Sequence, residues 1–321
     1  MAKKPVVFVT RKVPDAVTAR LKRDYEPRLN ADDHLPSADE VIKGCQGADA
    51  LLPCPTDKVT ADVINALPDS VKIIATFSVG YEHIDVNAAK QRGIVVTNTP
   101  DVLTDATADI AMLLILGAAR RASEGERMVR NKTWGAWAPT GMLGVHVTGK
   151  RLGIYGMGRI GQALARRARA FDMKIHYNNR KRLTPDLEQG AIFHADAEAM
   201  LPHCDFLSIN CPATAETSGF LNAKRIAMLP DGAIVVNSAR GPIVDDEALI
   251  DALKSRKLFA AGLDVYTGEP NINPKYRDLD NAFLLPHLGS ATTDTRNAMG
   301  FKAVDNMDAF FAGKAPPDRV A

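Results

Sequence analysis

The chain alternates short apolar runs with amphipathic stretches. Val6–Thr10, Ala48–Leu52, Lys72–Phe77 and Gly93–Thr97 predict strands, and Ala16–Asp24, Ala61–Leu67 and Asp85–Gln91 predict helices between them. A second series predicts strands over Arg151–Tyr155, Lys174–Asn178, Phe206–Asn210, Ala233–Asn237, Ala261–Val265 and Phe283–Leu285. Apolar runs without a polar face are buried on both sides, which implies a parallel sheet covered by helices. The fold class read from this pattern is α/β, with two doubly wound parallel-sheet domains. An apolar helix is predicted over Leu103–Arg121, with Asp101 or Thr104 as its cap. The segment Asn131–Gly149, with two Trp, one Pro and four Gly, predicts a loop or arm. A last helix is expected over Thr293–Phe311, followed by a loosely ordered tail, Gly313–Ala321.

Composition narrows the classes. A length of 321 residues suits two α/β domains, and 46% hydrophobic residues suit substantial cores. A net charge of +2 argues against a nucleic-acid or membrane surface. With no signal-like segment and no spanning run, the expected location is cytoplasmic. The four cysteines (Cys45, Cys54, Cys204, Cys211) show no ligand spacing and are expected to be reduced packing residues, so no metal is expected.

The most specific motif is Gly156-Met157-Gly158-Arg159-Ile160-Gly161, which follows a predicted strand and opens a predicted helix. This is the pattern of a dinucleotide-binding turn. Gly156 allows the bend, Gly158 lets the backbone reach a pyrophosphate, and Gly161 lets helix and strand pack closely. The phosphates would sit on the helix N-terminus.

The strand Lys174–Asn178 indicates which dinucleotide. An NAD site ends this strand in an acid that takes the ribose hydroxyls. Here Asn178 stands about at that place, and Asn179, Arg180, Lys181 and Arg182 follow. Without an acid a 2′-phosphate is not repelled, and the cations can bind it. The reading is NADP(H) preferred with NAD(H) possible; the plain alternative is a solvated basic turn.

Three more segments begin where second-half strands end: Val236–Pro242, Gly262–Pro270 and Leu284–Thr292. They bring Arg240, Glu269 and His287 to the carboxyl edge, where such sheets bind ligands. A guanidinium can fork onto a 2-keto acid, a histidine can give the alkoxide its proton, and a carboxylate can orient that histidine. His34, His146, His176, His194 and His203 read as surface or packing residues.

In this order behind a dinucleotide turn, these residues resemble the D-isomer-specific 2-hydroxyacid dehydrogenase family, from about Ala48 to Phe311. The resemblance implies catalytic roles for Arg240, Glu269 and His287. It implies that the amides of Val79 and Gly80, within Ser78–Asp85, hold the substrate carboxylate. It places Thr107, Cys211, Pro212, Ser238, Ala239, Asp264 and Gly289 at the cofactor, with the turn residues and Asn179, Arg180 and Lys181. Residues 1–100 with 288–321 would form a flavodoxin-like substrate domain, and residues 101–287 a Rossmann cofactor domain. The cleft between them would close on substrate. An arm over about 124–149 would embrace a second subunit in a homodimer.

Within the family, Ser78-Val79-Gly80-Tyr81, the basic turn and Trp134-Gly135-Ala136-Trp137-Ala138-Pro139 look most like the glyoxylate/hydroxypyruvate reductases. That implies NADPH-preferring reduction of glyoxylate and hydroxypyruvate to D-2-hydroxy acids. Trp137, with Trp134 second, would reach the partner's site; both could instead simply pack the arm. Pro55, in Pro53-Cys54-Pro55-Thr56, departs from the bulkier apolar residues expected there over the substrate. A larger 2-keto acid, 2-ketogluconate or an aryl pyruvate, therefore stays open, as does a nicotinamide-sensing corepressor-like binding protein.

Overall fold

The computed structural model describes residues 3–321. The chain divides into two compact units: one runs up to Leu103 and resumes at Thr292, and the other is Thr104–Ala291.

The first unit carries strands β1 (Val6–Val9), β2 (Glu26–Leu29), β3 (Ala50–Leu52), β4 (Ile73–Ala75) and β5 (Val95–Thr97). All pair in parallel in the order β2-β1-β3-β4-β5. Side chains alternate between two cores. Val7, Val9, Ala50, Leu52, Ile73 and Ala75 join one cluster with Leu21, Met299 and Val304. Leu51, Ile74 and Val96 join the other with Val41, Ile64 and Ala89. Burial on both faces explains the unbroken apolar runs.

The sequence pattern misses β2. Its residues, Glu-Pro-Arg-Leu, are polar and mostly exposed because β2 is an edge strand paired only with β1, and an edge tolerates Pro27. The tail expected to be loose is pinned. Val320 donates to Val96 O at 2.8 Å, Val96 donates to Ala321 O at 3.0 Å, and Arg319 bridges Thr97 antiparallel. The tail satisfies the open backbone groups of β5 at the opposite edge.

The second unit carries β6 (Arg151–Tyr155), β7 (Lys174–Asn178), β8 (Ile192–Phe193), β9 (Phe206–Ile209), β10 (Ala233–Asn237), β11 (Leu258–Leu263) and β12 (Ala282–Leu284). They form one parallel sheet, β12-β11-β10-β9-β6-β7-β8. The order reverses between β6 and β9, which is the ligand-binding switch point of such sheets. Leu207, Ile209, Val235 and Leu263 face one core; Leu152, Ile154, Ile234 and Val236 face the other.

The apolar helix is Thr104–Ala119, with nine of its residues buried in the second unit. A further helix, Ala122–Arg130, opens the arm and was not read from the sequence, because none of its residues is buried. Strand β11 starts three residues before its expected start. No described helix is long and apolar enough to cross a membrane.

Candidate active site

The glycine motif forms the turn between β6 and the helix Arg159–Arg169. Gly156 has φ +95°, and a Cβ there would fall 2.7 Å from the Cys211 amide nitrogen. A Cβ on Gly161 would meet Gly156 O at 2.6 Å, whereas Gly158 faces open space. Among the described residues seven α-helices are closed by the side chain of the preceding residue: Ser37, Thr60, Asp85, Asp196, Asn222, Asp245 and Thr292. The helix Arg159–Arg169 has Gly158 in that position and no acid in its first turn. Its N-terminus is uncapped and electropositive, as an anion site requires. At the carboxyl ends of β9 and β10, on the same edge of the sheet, the buried Asn210 Nδ2 and Ser238 Oγ lack partners among the described residues. The open glycine face, the uncapped helix and the two unspent polar atoms fit a bound dinucleotide.

The segment after β7 departs from expectation. Asn178 does not stand free: its Nδ2 donates to the carbonyls of His194 (2.8 Å) and Ala195 (3.3 Å). Asn179 instead reaches the glycine turn, accepting from Met157 N at 2.6 Å and donating to Met157 O at 3.2 Å. Arg182 is paired with Glu188 at 2.8 Å. Among the described residues Arg180 and Lys181 have no ion-pair partner, and both are exposed.

The strand ends of β10, β11 and β12 assemble the next group. Asn237 folds the first of them: its Nδ2 donates to Arg240 O (2.9 Å), and its Oδ1 accepts from Ala239 N (3.0 Å). Arg240 then leaves the strand in an extended conformation, with Nη1 donating to Ala239 O at 2.7 Å. Glu269 Oε1 accepts from Tyr266 N at 2.6 Å, and Glu269 Oε2 lies 2.7 Å from His287 Nδ1. Burial pushes the Glu269 carboxyl up, but the bonds from His287 and Tyr266 and the charges of His287 and Arg240 outweigh it. The carboxyl is held below its ordinary range, so Glu269 meets the His287 ring as an anion, with Arg240 close enough to be felt. Nδ1 is thus engaged by Glu269, and Nε2 is the nitrogen left for substrate.

His287 sits at φ 56°, uncommon for a residue with a side chain. Asp264, fully buried, secures it. Its carbonyl accepts from His287 N (2.9 Å), and its carboxylate oxygens accept from Leu288 N (2.6 Å) and Gly289 N (2.8 Å). Thr107 donates to Gly289 O at 3.1 Å. Thr107, Asp264 and Gly289, expected at the cofactor, thus also hold the segment that carries His287.

In the first unit the loop Ser78–Gly80 is gripped from behind. Asn98 Nδ2 donates to Val79 O (2.8 Å), the Ser78 hydroxyl to Gly80 O (2.6 Å), and Thr99 N to Ser78 O (2.8 Å). The amides of Val79 and Gly80 donate to no acceptor among the described residues. Two adjacent free amides make an anion-binding concavity. Asn98 was missed as a site residue, because a buried asparagine that braces backbone leaves no spacing signature. Pro55 is exposed in its loop, and the turn behind it is tied by Asp57, which accepts from Cys54 N at 2.7 Å. Trp137 and Trp134 are 84% and 71% exposed. Cys211 is a free cysteine, and burial pushes its thiol up to about 12.

Residues 112–289 match the family model described as "D-isomer specific 2-hydroxyacid dehydrogenase, NAD binding domain". The glycerate dehydrogenase of Hyphomicrobium methylovorum is 46% identical over 315 residues, covering 98% of each chain. The chain belongs to the D-isomer-specific 2-hydroxyacid dehydrogenase family. The glyoxylate reductase of Thermococcus litoralis is 42% identical, over 99% of this chain and 97% of its own. Among solved structures, the NADPH-dependent glyoxylate/hydroxypyruvate reductase of Sinorhizobium meliloti, in complex with NADP and malonate, superposes with a TM-score of 0.89. It is 34% identical and covers 99% of this chain and 97% of that one. The protein is thus a D-2-hydroxyacid dehydrogenase, an oxidoreductase using a nicotinamide dinucleotide, and its second unit is the family's Rossmann domain.

Proposed function

We propose that this D-2-hydroxyacid dehydrogenase is an NADPH-preferring reductase of small 2-keto acids, glyoxylate and hydroxypyruvate among them. The observation that carries the reading is the His287–Glu269 pair, with Arg240 acting on it, at the same sheet edge as the dinucleotide turn. Relatives described as glyoxylate reductase and glycerate dehydrogenase support the substrate class. The solved relative that binds NADP supports the cofactor.

Each residue has a task in this reading. The amides of Val79 and Gly80 take the substrate carboxylate. Arg240 forks onto carboxylate and carbonyl oxygen, orienting the acid and polarising the C=O. When bound, the nicotinamide supplies the hydride. His287, charged and held by Glu269, gives its Nε2 proton to the oxygen that becomes the hydroxyl, and takes it back in oxidation. Arg180 and Lys181 receive the cofactor's 2′-phosphate.

A homodimer is part of the proposal. The arm returns to its base, where Val145 N donates to Ala119 O at 2.8 Å, but Val129, Trp134, Trp137 and Leu143 are left exposed. Apolar side chains grouped on an arm suit burial by a second copy, with Trp137 entering its site.

The test is NADPH consumption with glyoxylate and with hydroxypyruvate, beside the same assay with NADH. Faster kcat/KM with NADPH on both acids is the expected outcome. Equal or better turnover with NADH overturns the cofactor preference. Turnover only on larger keto acids overturns the substrate.

A further inference from the structure

Beneath the basic turn lies a carboxylate that no part of the reaction uses. Glu188, on the short helix Pro185–Glu188, is 6% exposed. Its Oε1 accepts from the Tyr177 hydroxyl (2.5 Å) and from Arg182 Nε (2.8 Å), and its Oε2 accepts from Arg182 Nη2 (3.1 Å). The Tyr177 hydroxyl itself accepts from Leu183 N at 3.0 Å. Phe193 of β8 closes the group, with its ring 5.2 Å from that of Tyr177 and the Arg182 guanidinium 6.0 Å from its centre.

The consequence is geometric. The turn is fixed at its start by Asn179 on Met157 and at its end by Arg182 and Leu183 on Glu188 and Tyr177. Arg180 and Lys181 lie between the two fixed points. A loose run of three cations would have to give up backbone and side-chain freedom to gather on a phosphate. A turn already held does not, and affinity gained this way is preorganisation. Electrostatics agree. An unpaired acid here would repel a 2′-phosphate, but Arg182 neutralises Glu188 in a bidentate pair and leaves two cations unspent.

We propose that Glu188 and Tyr177 are positioning residues for the 2′-phosphate of the cofactor: they draw Arg182 away from the phosphate and fix the backbone that presents Arg180 and Lys181. The inference rests on the NADP(H) reading of the turn and adds that the selectivity is set from below it, by side chains that touch no ligand.

The experiment measures calorimetric binding of adenosine 2′,5′-bisphosphate and of 5′-AMP to the wild type, Glu188→Gln and Tyr177→Phe. The readout is the ratio of the two dissociation constants, since a merely loosened domain weakens both ligands alike. The wild type is expected to favour the bisphosphate, and both variants to lower that preference about tenfold while 5′-AMP binding stays within about threefold. Glu188→Gln frees Arg182 without removing it. If Arg182 were itself a phosphate ligand, the variant would bind the bisphosphate as well or better, and that result overturns the proposal. Tyr177 is fully buried and cannot touch the ligand, so its variant decides the matter if Glu188→Gln does not fold. A wild type that favours the bisphosphate, with an unchanged ratio in the variants, overturns the clamp alone. A wild type with no preference overturns the cofactor reading, and the clamp with it.

Discussion

Asn179 holds Met157 at both of its backbone polar groups, accepting from the N–H at 2.6 Å and donating to the carbonyl at 3.2 Å. A neutral side chain thus braces the glycine turn one residue beyond the place expected for the acid of an NAD site. An aspartate at this position could keep the bond from Met157 N but not the one to Met157 O. It would also set a negative charge beside Arg180 and the 2′-phosphate. Asn179→Asp should raise KM for both cofactors, and for NADPH by about tenfold more than for NADH. Steady-state KM values with each cofactor check this, and an equal rise for both would show that Asn179 only supports the turn.

Glu269 makes a prediction about acid pH. Its carboxyl is held below the ordinary value of 4.5 despite burial, by His287, Tyr266 and the charge of Arg240. A depressed native pKa means the carboxylate, and the support it gives His287, persists as pH falls and is lost only when pH drops through the depressed value. The acid limb of kcat/KM due to this group should therefore lie below 4.5. Glu269→Gln should lower kcat about a hundredfold at neutral pH and abolish that limb. A variant whose pH profile matches the wild type would separate Glu269 from the proton transfer.

How much of this was legible depends on burial. Buried strands such as β10 declare themselves because both faces are covered, and the helix Thr104–Ala119 because nine of its sixteen residues are buried. β2 does not, since an edge strand of Glu-Pro-Arg-Leu needs only its backbone to pair. The tail does not either, because its order comes from hydrogen bonds to β5, and backbone pairing leaves no side-chain pattern. At the site, Arg240, Glu269 and His287 stood out through their order after strand ends, and the structure brings Glu269 and His287 into contact. The distinction between Asn178 and Asn179 was not legible. Which of two adjacent asparagines turns toward the glycine loop is decided by the pleat of β7, and a one-residue offset reverses the answer.

Asp264 should be indispensable to the position of His287. It is fully buried, both carboxylate oxygens are taken by amides, and the segment it holds includes His287 at φ 56°. Asp264→Asn aims an NH2 group at an amide donor and leaves that donor unsatisfied. The expected cost is about 2 kcal/mol of stability. A fall in kcat of about tenfold or more should accompany it as the histidine loses its place. Urea unfolding and kcat at saturating cofactor measure the two effects. Lost stability with intact kcat would show that the segment positions His287 without Asp264.

A second pH effect, on stability, should arise far from the reacting groups. His176 of β7 is buried against two other imidazoles, with Nδ1 2.9 Å from His194 Nε2 and its ring stacked 5.3 Å from His203. His176 is lowered from 6.5 to about 4, chiefly by burial, with His194, His203 and Arg151 acting in the same direction and Asp205 opposing them. The unfolded chain therefore takes up a proton near 6.5 that the native state refuses until about 4. Stability contributed by the neutral ring is full above 6.5, declines as pH falls through that window, and is gone below about 4, a loss of roughly 3 kcal/mol at most. His176→Phe keeps a stacking ring but does not titrate, so its urea midpoint should fall less than that of the wild type between these two values. Midpoints that decline in parallel would place the acid sensitivity of the second unit elsewhere.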